Sequence, residues 1–431
     1  MATLAAPAAS FDTSEHLVVL IHGLWGNPGH LQFLKDSLRE RYSEDHVHIL
    51  VTERNANSFT YDGIQVGGER VTREIEEKLA DLEKDGHSIK RISVIGYSLG
   101  GLIARYAIGL LYHKRVFDRI EPINFTTFAA PHLGVRTPLT GALNYIWNIL
   151  GPRTLSVSGK QLFMVDQFQE TGRPLLAVLA DPEHIFIKAL ARFKNRSLYA
   201  NAVHDRSVTW YTAGISATDP FVDMDAVECN YVKGYEPVVI DGENPVSLKK
   251  RERLPLTQLL YRKLFREIPL GIFFVIFIPI GTTALLAGAV VQSFRSSRRI
   301  RLHQEGKAGI DVSEYRIPLI TEIREGVEEM YENLNNAHDT EYLPSDDSNY
   351  ARPSKVGAEH KVKSNPDFPT LALTKEQFAM IDALDGVGFK KYPVYIHLHP
   401  HSHAAIIKRR AGAGFEEGRI VVKHWLDNFE V

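Results

Sequence analysis

The sequence predicts an α/β fold, built as a mostly parallel sheet flanked by helices, and three features point to it. Between residues 17 and 133, short β-branched runs alternate with amphipathic stretches, the order of a sheet covered by helices on both faces. Apolar runs end in glycine turns, as in LVVLIHG and RISVIGYSLGG. Within residues 67–84, Val71, Ile75, Leu79 and Leu82 recur at three- and four-residue spacing, which gives a helix with one apolar stripe.

Taken in order, residues 1–16 are expected to form a flexible N-terminus. LVVLIHG is the first strand, because its apolar run is far too short for a signal anchor. HVHILVTER is the second, and the helix over 67–84 ends at Gly86. Residues 92–95 form a strand and residues 102–111 the helix after it, while NFTTFAAPHLG repeats the strand-to-loop form and should lie beside that strand. Residues 136–193 are mixed and largely helical, and read as a cap over the end of the sheet that carries the site described below. SLYANAVHDRSV returns as a strand with a polar loop, closing a core that spans residues 17–240. The stretch 335–369, rich in Asn, Asp, Ser and Pro, reads as a loose linker. Residues 371–431 return to the core as a strand through VYIHLH, ended by Pro400, and a helix in EGRIVVKHWLDNFEV.

The 431 residues hold one such domain with insertions more readily than three small ones. Lys and Arg (50) nearly balance Asp and Glu (52) for a formal charge of -2, so no global field attracts nucleic acid and any attraction to a membrane must be local. The single cysteine, Cys229, excludes an internal disulfide, and no basic stretch precedes the first apolar residues. Both features point to the cytosolic side.

The chemistry is carried by Gly96-Tyr97-Ser98-Leu99-Gly100, which fits the G-x-S-x-G elbow of an α/β-hydrolase fold and lies between a strand and a helix, as that motif requires. Gly96 and Gly100 keep the tight turn free of side chains, and Ser98 is the expected nucleophile. His22-Gly23-Leu24-Trp25-Gly26 ends the first strand, where such a fold places its oxyanion loop. The N–H groups of Leu24 and Leu99 are the expected oxyanion donors, while Gly23 and His22 support the loop. In this fold the acid and then the base follow the serine along the chain. Asp205, in a polar loop after a strand, is the expected acid, with Asp219, Asp223 and Asp166 behind it in that order. His397, His399, His401 and His403 alternate along VYIHLHPHSHAAII; His403, where loop passes into an apolar run, is the expected base, with His401 as the alternative. No Cys or carboxylate cluster accompanies them at ligand spacing, so no metal is expected.

Six blocks in order, IHGLWGNPGHL, NSFTYDGIQVGGERV, IGYSLGGLIARYAIG, FAAPHLGVRTP, NAVHDRSVTWYTA and HSHAAII, resemble the putative serine esterase family that includes fungal lipid-droplet phospholipases. The resemblance covers most of residues 17–240 and resumes near Tyr392. It implies Ser98 as nucleophile, Asp205 as acid and His403 as base. It also implies hydrolysis of acyl chains from glycerophospholipids or other acyl lipids, no cofactor, and work at a lipid droplet or the cytosolic face of the endoplasmic reticulum membrane.

Residues 268–294 carry no charge and are long enough to cross a bilayer, for which roughly twenty apolar residues suffice. A single crossing would put His403 on the opposite side from Ser98 and Asp205. Pro279-Ile280-Gly281 interrupts the run near its middle. Arg262, Lys263 and Arg266 flank it on one end, and Arg295, Arg298, Arg299 and Arg301 on the other. A membrane-embedded hairpin, or a kinked helix in the interface, fits these constraints. Two other functions belong to different classes. Acyl transfer, or a broader carboxylesterase or triacylglycerol lipase activity, would use the same site. A non-catalytic membrane-bound scaffold would be expected to carry a damaged elbow, and this one is intact.

Overall fold

Each residue of the run Leu17-Val18-Val19-Leu20-Ile21 is fully or almost fully buried, and alternate side chains enter two different apolar clusters, as a strand covered on both faces requires. In the computed structural model, which describes residues 15–136, 156–205, 207–249, 293–307 and 368–431, this run lies in β1 (Glu15–Ile21). The strands that follow are β2 (Val47–Val51), β3 (Ile89–Tyr97), β4 (Glu121–Phe128), β5 (Asn195–Asn201), β6 (Val227–Cys229), β7 (Val246–Leu248) and β8 (Lys390–Val394). Six of them form one sheet in the order β2-β1-β3-β4-β5-β8, and each neighbouring pair is parallel. β6 and β7 pair separately and antiparallel. The expected parallel sheet flanked by helices is therefore present, with β3 and β4 side by side as their sequence pattern suggests.

Helices α1 (Gln32–Arg41), α2 (Ile64–Lys84) and α3 (Leu99–His113) follow the first three strands. α2 begins three residues before Gly67 and stops just short of Gly86, whose φ of +90° turns the chain. α2 and α3 bury Val71, Ile75, Leu102 and Tyr106 on one face of the sheet. On the opposite face lie Leu34 and Leu38 of α1.

Of the stretch read as a cap, residues 137–155 lie outside the described residues. The rest forms α4 (Ser156–Leu162), α5 (Leu175–Leu179) and α6 (Ile185–Ala191), which bury Leu175, Val178, Phe186 and Leu190 in the same cluster as α3. After β5 come the short α7 (Trp210–Ala213) and α8, helical over residues 293–304. A helix the sequence reading did not anticipate, α9 (Lys375–Val387), precedes β8 and opens with a full capping box between Thr374 and Gln377. The short α10 (Ser402–Ala405) and the final α11 (Gly418–Asp427) complete the order. α11 adds Val421, Val422 and Trp425 to the second cluster.

One expectation requires correction. The last strand of the sheet ends at Val394, not at Pro400. Its neighbours take other partners: Tyr395 N–H donates to Val238 O at 2.8 Å, and the N–H groups of His397 and Leu398 donate to Glu417 Oε2 at 2.7 and 2.8 Å. A carboxylate thus replaces the ladder and turns the chain into a loop. In the basic edge beyond residue 294, Arg299 is paired with the buried Asp62. All of the apolar run 268–294 except Ser293 and Phe294 lies outside the described residues. So does the proposed N-terminal tail up to residue 14, and the linker up to residue 367. Among the described residues, no helix is long and apolar enough to cross a membrane.

Candidate active site

Ser98 stands at the tip of the β3–α3 turn with φ +55° and ψ -129°, a backbone conformation rare for a residue with a side chain. The surroundings hold it there: Ser98 N–H donates to Phe128 O at 2.8 Å, and Gly101 N–H donates to Ser98 O at 2.9 Å. The flanking glycines are steric necessities. A Cβ on Gly96 would lie 2.4 Å from Gly101 Cα, and one on Gly100 would lie 2.3 Å from Ile21 O.

The expected base comes from the far end of the chain. Ser98 Oγ and His403 Nε2 are 2.9 Å apart, and His403 Nδ1 and Asp205 Oδ2 are 2.8 Å apart. An ionised carboxylate only accepts, so Nδ1 carries the proton it donates to Asp205, and in a neutral ring this leaves Nε2 as the acceptor for the serine hydroxyl. His403 is held by Tyr97 O–H, which donates to its carbonyl at 2.9 Å, and the two rings lie 5.2 Å apart. The preceding Ser402 Oγ–H donates to Val203 O at 2.8 Å, and its N–H donates to His204 O at 3.2 Å. These bonds lock the histidine loop to the loop that carries Asp205.

Asp205 also accepts from Asn201 Nδ2 at 2.9 Å and from the N–H groups of Ser207 and Val208 at 3.0 and 2.9 Å. Burial opposes its ionisation, but His403 and these donors outweigh burial and hold the carboxyl below its ordinary range. A charged, oriented carboxylate is what a triad acid needs in order to support an imidazolium.

The loop after β1 abuts the elbow: a Cβ on Gly23 would lie 2.6 Å from Ser98 Cβ. Among the described residues neither Leu24 N–H nor Leu99 N–H has a protein acceptor, so both stay available to a ligand oxygen. His22 is buried, packs beneath Gly26, and has Nδ1 3.1 Å from Gly23 O. Burial pushes its pKa down, so it is neutral and shaped to hold the loop.

The other candidates lie elsewhere. His401 is exposed and its side chain bonds to neither Ser98 nor Asp205. Asp166 accepts from Leu175 N–H at the start of α5, while Asp219 accepts from Phe221 N–H and Asp223 from Asp225 N–H, each of these two serving a local turn. Among the described residues, the group with a composition that could hold a metal ion is Glu15, His48 and His87, not the histidine run. It sits at the opposite end of the strands from Ser98, and both histidines already contact Glu15 Oε2 at 3.0 Å. Sequence reasoning missed Tyr97, Asn201, Ser402 and Glu417 as supports. Only Tyr97 had a visible signal, its place inside the elbow motif.

Comparison with known proteins places this geometry in context. Residues 12–218 match the family model described as putative serine esterase (DUF676). The chain is 33% identical over 257 residues to the putative lipase ROG1 of Saccharomyces cerevisiae, covering 57% of this chain and 36% of that protein. It is 31% identical over 222 residues to the putative lipase C4A8.10 of Schizosaccharomyces pombe, covering 49% of this chain and 28% of that one. The match thus spans about a third of the relatives' length. Among solved structures it is similar in fold to the phospholipase PlaB of Legionella pneumophila, with 13% identity, TM-score 0.28, and coverage of 46% of this chain and 41% of that one. It is also similar to an alpha/beta hydrolase fold protein of Nakamurella multipartita, with 12% identity, TM-score 0.23, and coverage of 47% and 80%. Residues 12–218, just under half of the chain, hold Gly23, Leu24, Ser98 and Asp205, and it is this stretch that is similar to the putative serine esterase family.

Proposed function

We propose that this chain hydrolyses lipid acyl esters, phospholipids foremost, through Ser98, His403 and Asp205. The observation that carries this reading is the unbroken hydrogen-bond line from Ser98 Oγ through both ring nitrogens of His403 to Asp205, at 2.9 and 2.8 Å. His403 Nε2 takes the Ser98 proton as Oγ attacks the ester carbonyl. The carbonyl oxygen becomes an oxyanion that the Leu24 and Leu99 N–H groups receive, and Asp205 supports the imidazolium. Collapse breaks the ester bond, and His403 returns the proton to the leaving alcohol. Water then attacks the acyl-serine, gives its proton to His403 and releases the fatty acid as Ser98 regains its own.

A lipid surface as the place of work rests on the apolar run 268–294 and the basic residues around it. The fold constrains how that run can sit. β8 pairs with β5, and His403 reaches Ser98, so the chain before and after the run belongs to one sheet. Entry and exit on the same side of the lipid, as in a hairpin or an interfacial helix, satisfies this; a single crossing does not. We place the protein on the cytosolic face of a lipid droplet or of the endoplasmic reticulum.

The test is hydrolysis of a panel of phospholipids, lysophospholipids and triacylglycerols by purified protein. Wild type should release fatty acid. Ser98→Ala and His403→Ala should lose activity to near background, and Asp205→Asn should lose about 10^4-fold in kcat. Release that persists in Ser98→Ala would refute the reading.

A further inference from the structure

The oxyanion loop does not support itself. Trp25 has φ +54°, a conformation that its neighbours must impose, and Asn57, on the turn that faces it, has φ +58°, which asparagine adopts more readily. The two segments hold each other. Trp25 N–H donates to Thr60 Oγ1 at 3.1 Å, Trp25 Nε1–H donates to Tyr61 OH at 2.6 Å, and Asn57 N–H donates to Gly26 O at 2.7 Å. The turn Asn57–Tyr61 is therefore the brace against which Leu24 is set.

That brace is anchored by a carboxylate with no exposed side-chain surface. Asp62 receives Arg70 Nη2 from α2 at 2.9 Å. From α8 it receives Ser296 Oγ at 2.7 Å, Arg299 Nη2 at 2.7 Å, and Arg299 Nε at 3.0 Å to one oxygen and 3.1 Å to the other. Arg299 Nη2 also donates to Ser58 O at 2.9 Å, inside the turn itself. Arg70 and Arg299 both pack on the Phe59 ring, at 5.1 and 4.9 Å from its centroid. A surface ion pair is worth little, whereas a bidentate fork on a buried carboxylate fixes geometry and leaves an uncompensated charge when one partner is removed. The partner comes from 237 residues downstream, on the helix that directly continues the apolar run. Trp25, Phe59 and Phe294, all on the elements joined here, are 57%, 43% and 76% exposed. Large apolar side chains left in the open suit contact with lipid.

We propose that Arg299 is a positioning residue for the serine site: through Asp62 it sets the turn that braces the oxyanion loop, and it ties that loop to the helix that follows the apolar run. The inference rests on the reading of Leu24 N–H as an oxyanion donor. A second bond on the same helix supplies the control. His303 Nε2 contacts Glu69 at 2.6 Å on α2 and docks α8 without touching the brace.

The experiment measures kcat, KM and thermal midpoint for the full chain on a soluble short-chain p-nitrophenyl ester. Misplacing one oxyanion donor costs between about tenfold and a thousandfold, so Arg299→Gln should lower kcat by about tenfold or more with KM within about twofold. Arg299→Lys, which keeps the charge but not the fork, should recover part of that loss. His303→Gln should lower the thermal midpoint while leaving kcat within about twofold of wild type. The proposal is overturned by wild-type kcat in Arg299→Gln, or by an equal loss of kcat in His303→Gln, which would mark both residues as mere fold stabilisers. Should Arg299→Gln not fold, Arg299→Lys decides alone, and wild-type kcat in it overturns the proposal. If wild type shows no hydrolysis that depends on Ser98, it is the reading of the site that fails, a result separate from either.

Discussion

At the scale of single residues, function and fold meet most tightly at Gly100. Its α-carbon sits under the end of β1, where a methyl group would lie 2.3 Å from Ile21 O and 2.6 Å from His22 O, both rigid backbone atoms. Gly100→Ala must therefore push the oxyanion loop and the elbow apart. We expect it to cost about 2 kcal/mol or more in urea unfolding and to reduce hydrolysis further than the loss of fold explains. A variant with wild-type stability would contradict this packing. Ser98 and its glycines were legible because the elbow is a local motif, written in five consecutive residues. Choosing His403 among four alternating histidines needed only its place at the edge of an apolar run, and it is His403, not His401, that lies 2.9 Å from the serine. Asp62 and Arg299 were not legible. Nothing local marks a buried carboxylate whose partner is far away in the chain, and Arg299 read as one of several basic residues flanking the apolar run.

At the scale of elements, periodicity and turn residues located most strands and helices, and errors gathered where tertiary partners override local pattern. VYIHLHP has the alternation and β-branched residues of a long strand, yet it ends at Val394 because the Glu417 carboxylate captures the next free amides. That early end is what frees the loop to carry His403 back over the elbow. α9 was missed although Thr374 and Gln377 stand at capping-box spacing, because its apolar residues Phe378, Met380, Ile381 and Leu384 give only a weak stripe beside a linker-like stretch. The cap region shows the reverse case. Its helices were expected, but α5 and α6 spend their apolar faces in the main core, which pattern alone cannot assign to one partner or another.

At the scale of the whole molecule, residues that precede the apolar run and residues that follow it share one sheet, two apolar clusters and one site. Their union makes stability depend on pH in a definite direction. His16, buried in β1, has its pKa pushed down to about 3, by burial above all and then by Arg91; His424 in α11 is pushed down to about 4, again chiefly by burial. Unfolded, each should titrate near about 6.5. As pH falls below that value the unfolded chain binds protons that the fold refuses, so stability declines toward about pH 4. The two groups together should remove about 2 to 3 kcal/mol between pH 7.5 and 5.5. Urea midpoints at the two pH values measure this, and equal midpoints would show that these imidazoles are not held neutral.

The claim on which the rest depends is that serine, imidazole and carboxylate from both sides of the apolar run act as one unit. Its most direct measurement is labelling of purified protein by a fluorophosphonate, with the modified residue identified by mass spectrometry and the rate followed in wild type and His403→Ala. The account requires the label on Ser98 and a rate that falls by orders of magnitude when His403 is removed. Label on another residue, or an undiminished rate without His403, would contradict it.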